Sequence, residues 1–241
     1  MAELDVGRIK VLAFDIFGTT VDWWTGVARQ VEQVAAERGV ELDGGAVAAD
    51  WRGRYVPSMD LVRRAELPWC NLDVLHRRSL DELLAQRDVG AAFDEGARAE
   101  LVRAWHRLPA WPDSAAGLAR LRGRYTVAAV SNGGFALLTN LVKAAELPFD
   151  CIVSAELARH YKPDPEAYLS VAALLDVEPA EVLMVAAHVW DLDGARRAGL
   201  RTAFVERPLE KGPGARADRA GEFDADVSAS SFTELADRLR C

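Results

Sequence analysis

"KVLAFDIFGTTVD", residues 10–22, is the stretch on which the fold is read. Four apolar residues, Val11-Leu12-Ala13-Phe14, run without interruption into Asp15, and a turn at Gly18-Thr19 follows. A short apolar run closed by a turn is the pattern of a parallel strand buried on both faces. The run also delivers a carboxylate to its carboxyl end, the edge at which open α/β sheets bind ligands. Two residues on, where a second acid would complete a phosphate-handling pair, stands Phe17. Asp15 is left with the chemistry open to a carboxylate that has no acidic neighbour.

Runs of the same kind recur at Tyr125–Val130, Cys151–Ser154, Val182–Ala186 and Thr202–Glu206. Between them, Gly134–Ala145, Asp164–Leu175 and Leu192–Ala198 are long enough for crossover helices. Strand-helix alternation of this type predicts a doubly wound, mainly parallel α/β sheet. One region breaks the pattern. From Trp23 to Leu108 only helical periodicity is found, with helices expected at Gly45–Arg54, Asp60–Glu66, Leu72–Ala85 and Glu95–Arg107. Val27, Val31, Val34 and Ala35 share one helical face ahead of a stop at Gly39. Residues 23–108 are therefore expected to form an inserted all-helical cap, with 1–22 and 109–241 as the core. Arg207–Asp226 reads as a polar loop, and Ser231 with Glu234 has capping-box spacing for a last helix.

Composition narrows the function classes. Of 241 residues half are hydrophobic, and 29 basic against 37 acidic side chains give a net charge of −8. An acidic chain without a basic cluster predicts no nucleic-acid partner. No apolar run approaches a membrane span, and no signal-peptide pattern is present, so a cytoplasmic protein with no membrane partner is expected. Cys70, Cys151 and Cys241 form no pair with metal-ligand or disulfide spacing.

Polar residues cluster where the strands end: Asp15, then Ser131-Asn132 in "SNGG", Lys162 in "HYKPDPEAY", and His188 to Asp191 in "VAAHVWDLDGARRAG". Each has a bland reading by itself, as a helix cap, a turn residue or a solvated lysine. Their order on one architecture is what carries chemistry. The set resembles the four motifs of the haloacid dehalogenase superfamily, over nearly the whole chain and including the cap after the first motif. The resemblance implies a Rossmann-like core. Most members of that superfamily are magnesium-dependent phosphatases with paired acids in the first and fourth motifs. Here Phe17 and Ala187 occupy those positions, and Asp193 would point away from Asp191 along its helix. No metal and no cofactor are expected, since magnesium demands several hard oxygen ligands.

"FDIFGTTVD", "SNG", "YKPDPEAY" and "DWRGRY" resemble the 2-haloacid dehalogenase branch, in which a lone carboxylate displaces a halide that needs no proton. The resemblance implies catalytic roles for Asp15 (nucleophile), Lys162, Asp191 and His188. It implies substrate or halide contacts for Arg52, Thr19, Ser131, Asn132, Phe17, Tyr168 and Trp190. The implied partners are a small 2-haloacid and the released halide, with a homodimer left open. Ala186 and His188 replace a serine and an asparagine of better-known members, so His188 is either the asparagine's substitute or a strand-end structural residue. "TTVDWWTG" and "AWHRLPAWPD" resemble a subgroup that processes small haloacetates, fluoroacetate included, with Trp23, Trp24 and Trp190 as candidates to narrow the pocket. Two rival readings are a magnesium-dependent phosphatase or phosphonatase-like hydrolase, and a non-catalytic binding member.

Overall fold

The computed structural model describes residues 4–241; Met1–Glu3 of the expected core segment lie outside the described residues. Its sheet comprises β1 (Val11–Phe14), β2 (Thr126–Ser131), β3 (Cys151–Ser154), β4 (Val182–Ala186), β5 (Arg201–Val205) and β6 (Val227–Ala229). The strand order is β3-β2-β1-β4-β5-β6, and every neighbouring pair is parallel. The chain leaves β1 toward β2 on one side and returns to β4 on the other. The crevice at the end of β1 is therefore the topological switch point where such sheets place ligands.

Side chains along β1 alternate between two apolar clusters. Leu12 and Phe14 pack with Leu121, Leu137 and Phe232, whereas Val11 and Ala13 pack with Tyr168, Met184 and Leu192. Because both faces are covered, the strand reads as continuously apolar. β6 was not anticipated: three residues after a polar stretch leave too short a period to read.

Between β1 and β2 lie five helices of the insertion, α1 (Trp23–Ala36), α2 (Gly44–Gly53), α3 (Tyr55–Arg63), α4 (Leu72–Gln86) and α5 (Glu95–Ala104), then α6 (Ser114–Arg122). The remaining helices are α7 (Phe135–Ala144), α8 (Ala155–Ala158), α9 (Pro165–Leu174), α10 (Val189–Arg197) and α11 (Phe232–Arg238). Asp22 caps α1 by accepting the Thr25 N–H at 3.0 Å, and the chain turns at Gly39 with φ +66°. α3 begins at Tyr55, five positions before the expected start at Asp60. Pro57 falls in its first turn, where a missing N–H costs nothing. α10 begins at Val189 instead of Leu192, with His188 at its N-cap. Ser231 accepts the Glu234 N–H at 3.1 Å, but the Glu234 carboxylate returns to Ser230 N–H at 2.8 Å, one residue off the expected box.

The insertion does not carry a core of its own. One apolar cluster runs from Phe14 and Phe232 through Phe17 and Trp105 to Val27, Trp51 and Leu80. No helix among the described residues is long and apolar enough to cross a membrane.

The contact of α6 with α11 gives a test of the core. A Cβ at Gly117 would lie 2.3 Å from the Phe232 Cβ and 2.8 Å from its carbonyl carbon. Gly117→Ala is expected to cost about 1–3 kcal/mol by overpacking. The readout is a lower urea midpoint at unchanged slope; an unchanged midpoint would mean that α11 shifts freely.

Candidate active site

Asp15 continues β1 by one residue: its N–H donates to Val185 O at 3.0 Å, which fixes the backbone under the carboxylate. The Thr20 hydroxyl donates to the Asp15 carbonyl at 2.6 Å. Thr19 Oγ1 donates to Asp15 Oδ2 at 2.8 Å and accepts the Ala187 N–H at 2.9 Å. The Thr19 hydroxyl thus orients the carboxylate and ties β1 to β4. Ser131 Oγ accepts the Gly133 N–H at 3.2 Å and shapes the turn after β2.

Lys162 comes from the loop between α8 and α9. Its backbone N–H donates to Asn132 Oδ1 at 2.7 Å, so the second motif holds the third in place. Its ammonium lies 2.8 Å from Asp191 Oδ2 and 3.2 Å from Asp15 Oδ1. All three groups are buried. Burial opposes the charge on Asp15, but Lys162, His188 and Thr19 outweigh it and hold that carboxyl well below the usual range. Asp191 moves the other way: burial and the neighbouring Asp15 charge raise it, against the pull of Lys162. Burial disfavours the Lys162 ammonium, yet the two carboxylates push its pKa up. Ionisation is thus favoured more strongly at Asp15 than at Asp191. Tyr168, expected to touch substrate, is corrected here: it is fully buried and its hydroxyl donates to Asp191 Oδ1 at 2.8 Å, behind the pocket.

His188 stands on the other side of Asp15. Its Nδ1 lies 3.3 Å from Asp15 Oδ2, off the line of a hydrogen bond, and its Nε2 meets Glu210 Oε1 at 3.0 Å. Burial works against an imidazolium, but Glu210 and Asp15 prevail and push the pKa up to about 10. Burial likewise raises Glu210, while His188, Arg52 and Trp23 draw it down to about 2. Glu210 was not foreseen; it is one acid in a polar loop with no local pattern to mark it.

Trp23, Arg52, Tyr55, His188, Trp190 and Glu210 are among the residues lining a cavity of about 400 Å³. The Arg52 guanidinium carbon lies 4.0 Å from the centre of the Tyr55 ring, 5.5 Å from Trp23 and 5.9 Å from Phe17. Its NH1 is buried and bonds to no protein group. A desolvated cation with a free donor among aromatic faces is built to receive an anion. Phe17 is buried beside this cavity, edge-on to Tyr55 and Trp105. Burial pushes the Tyr55 phenol up, so it stays a neutral donor. Behind this wall the His76 ring stacks on Trp105 at 4.4 Å and is held neutral by burial and by Arg52. Tyr55, His76 and Trp105 were also missed, because the register of the insertion helices against the sheet is not written in their own periodicity. Of the three tryptophans expected to narrow the pocket, Trp23 and Trp190 line it, whereas Trp24 packs beside Gly45 and Gly212.

Asp15, His188 and Asp191 bring potential metal-ligand atoms within 4.8 Å of one another. Lys162 already bridges two of them, and His188 is held as a cation, so the cluster is neutralised from within. Asp193 pairs with Arg197 at 3.1 Å on the exposed side of α10, away from Asp191.

The His188 charge has a thermodynamic signature. Its pKa is raised from 6.5 to about 10 on folding, so its contribution is fully present below pH 6.5 and lost as pH rises toward 10. The urea-midpoint advantage of wild type over His188→Asn is therefore expected to shrink across that window. A pH-independent difference would show that the imidazole is neutral.

A family model described as haloacid dehalogenase-like hydrolase matches residues 9–199. A defluorinating L-2-haloacid dehalogenase of known structure is 43% identical, with a TM-score of 0.94 and coverage of 97% of this chain and 96% of that one. The (S)-2-haloacid dehalogenase of Xanthobacter autotrophicus is 34% identical over 83% of this chain and 76% of its own length. An L-2-haloacid dehalogenase structure from that organism, with chloropropionic acid covalently bound, aligns at TM-score 0.81 and 28% identity, covering 96% and 98% of the two chains. With this coverage and identity, the chain belongs to the haloacid dehalogenase-like hydrolases, in the branch of the 2-haloacid dehalogenases that cleave carbon–halide bonds.

Proposed function

We propose that the protein hydrolyses short 2-haloalkanoic acids, haloacetate and L-2-halopropionate among them, through a covalent ester at Asp15. The observation that carries this reading is the pairing of a nucleophile held ionised with an anion seat across the same crevice. Lys162 keeps Asp15 a carboxylate, and Arg52 presents a buried donor that no protein group occupies.

Asp15 attacks the carbon bearing the halogen, inverts it and expels halide. The leaving group needs no proton, so Phe17 in place of an acid is no handicap. Arg52 receives the halide, and the rings of Phe17, Tyr55 and Trp23 keep water from that seat. Asn132, whose carbonyl is spent on Lys162, leaves its amide as the donor on offer to the substrate carboxylate beside the "SNG" turn, next to the Tyr55 hydroxyl. Water then attacks the ester carbonyl, with Asp191 and His188 as the groups placed to position or deprotonate it. The aromatic residues lining the cavity and the defluorinating relative both support small haloacids as substrates, haloacetates among them. Phe17 and Ala187 in place of acids, with the Lys162 ammonium already paired to Asp15 and Asp191, support a reaction without magnesium.

Halide release from a panel of fluoro-, chloro- and bromoacids is the direct test, and turnover is expected to survive EDTA. Loss of activity in EDTA with recovery on adding magnesium would return the phosphatase-like reading. Arg52→Ala is expected to lower kcat about 10²–10³-fold, the usual effect of removing one donor to developing charge. Near-normal halide release in that variant would move the halide seat elsewhere. A single turnover in ¹⁸O-water with enzyme in excess is expected to label the Asp15 peptide and leave the hydroxyacid unlabelled. Label in the hydroxyacid instead would make Asp15 a base.

A further inference from the structure

The loop from Arg207 to Asp226 carries more than polar filler. Arg207 anchors it: its Nε donates to Thr19 O at 2.8 Å and its two terminal nitrogens grip Asp113 at 2.9 and 3.0 Å. Three residues on, Glu210 turns inward and is 2% exposed. Trp23 Nε1 donates to Glu210 Oε1 at 2.9 Å, and His188 Nε2 meets the same oxygen at 3.0 Å. The approach is so close that a Cβ on Gly18, where φ is +89°, would lie 2.4 Å from Oε1. A buried acid held by two hydrogen bonds to one oxygen, one of them from a histidine that faces the nucleophile, is an orienting group.

We propose that Glu210 is a positioning residue for His188, making it a cation against the Asp15 carboxylate before attack and a base for water after it. This rests on the dehalogenase reading above. Before attack, Asp15 and Glu210 flank the ring and both favour the imidazolium. Attack turns the Asp15 carboxylate into a neutral ester, and departure of the halide removes one negative charge from beside Nδ1. The Nδ1 proton then passes to solvent, while Glu210 keeps the other proton on Nε2. Water adds to the ester carbonyl carbon and gives one proton to Nδ1. The ester C–O bond breaks as the alkoxide takes the second proton. Asp15 is restored as a carboxylate, His188 as an imidazolium, and one proton has been released per turnover.

The other charges around His188 are set out on every side. Arg52 from α2 acts on Glu210, Lys162 acts on Asp15 and pairs with Asp191, and Lys211 and Asp218 pair at 3.6 Å on the cavity wall. None of these changes charge when the ester forms, so Asp15 is the group that alters the field.

The wild-type test is a single turnover of chloroacetate followed by rapid quench and a pH indicator. One proton per site is expected with the chloride burst, ahead of glycolate. A proton that appears with glycolate would overturn the proposal, because His188 would then have stayed charged in the ester. Glu210→Gln gives the second arm, since its amide can donate to Nε2 and drive the proton to Nδ1, the wrong nitrogen. It is expected to keep the chloride burst, slow glycolate formation about 10²-fold, and accumulate an Asp15 adduct visible by mass. The acid limb of its kcat profile is expected at lower pH, and Glu210→Asp to recover part of the rate. Equal slowing of chloride and glycolate would mark Glu210 as merely structural and refute the proposal. A wild type that releases no halide from any acid of the panel would instead refute the dehalogenase reading on which it stands.

Discussion

The Lys162 ammonium between the Asp15 and Asp191 carboxylates is the contact on which the site depends. Three buried charges of this kind are tolerable only together, since removing one leaves its neighbours uncompensated in a poorly polarisable interior. Each reaches the crevice from a different part of the chain, and the backbone around each is fixed before its charge is placed. Asp15 is set by the β1–β4 ladder, Lys162 by the Asn132 carbonyl, and Asp191 by the first turn of α10 and by Tyr168. Parallel strand order supplies the convergence, because the carboxyl ends of β2, β1 and β4 lie side by side at the switch point.

Around this triad the remaining charges close to neutrality. Glu210 faces His188, and Arg52 acts on Glu210 across the cavity, giving three acids against three cations if all are ionised. On the proposed reading a monoanionic substrate enters a site without net repulsion, and its halide meets Arg52, whose buried NH1 bonds to no protein group. The aromatic wall of Phe17, Tyr55 and Trp23 does for the halide what a second carboxylate would undo, by keeping that region dry and free of competing negative charge.

Much of this was legible in the sequence, and the limits are physical. Asp15, Ser131, Asn132, His188 and Asp191 all sit at or shortly past strands, so recognising the strands located them, whereas Lys162, in the loop beyond α8, was found through its "HYKPDPEAY" motif. Arg52 was found only by resemblance to a motif, and the structure brings it to the same cavity as His188. Tyr55, His76, Trp105 and Glu210 were invisible for a common reason. Each reaches the site through the packing of one element against another, and helix periodicity says which face is apolar without saying what it meets. Tyr168 was found but given a contact with substrate, whereas its buried hydroxyl is spent on Asp191. β6 escaped because three residues cannot show a period.

The apolar cluster shared by sheet and insertion also governs traffic. Swinging the helices away from the sheet as one body would wet Phe17, Trp23 and Trp105, which are at most 2% exposed. Exposing a single large aromatic of roughly 200 Å² costs ~5 kcal/mol, so a hinge of that kind would be open in far fewer than one molecule in a thousand. Exchange of acid, halide and product is then left to the rim, where Val56, Lys211, Ala215 and Asp218 border the cavity and little apolar surface is at stake. The doorway and the reaction chamber are thereby separate in this protein: rim residues can tune how fast small anions come and go without touching the groups that break the bond.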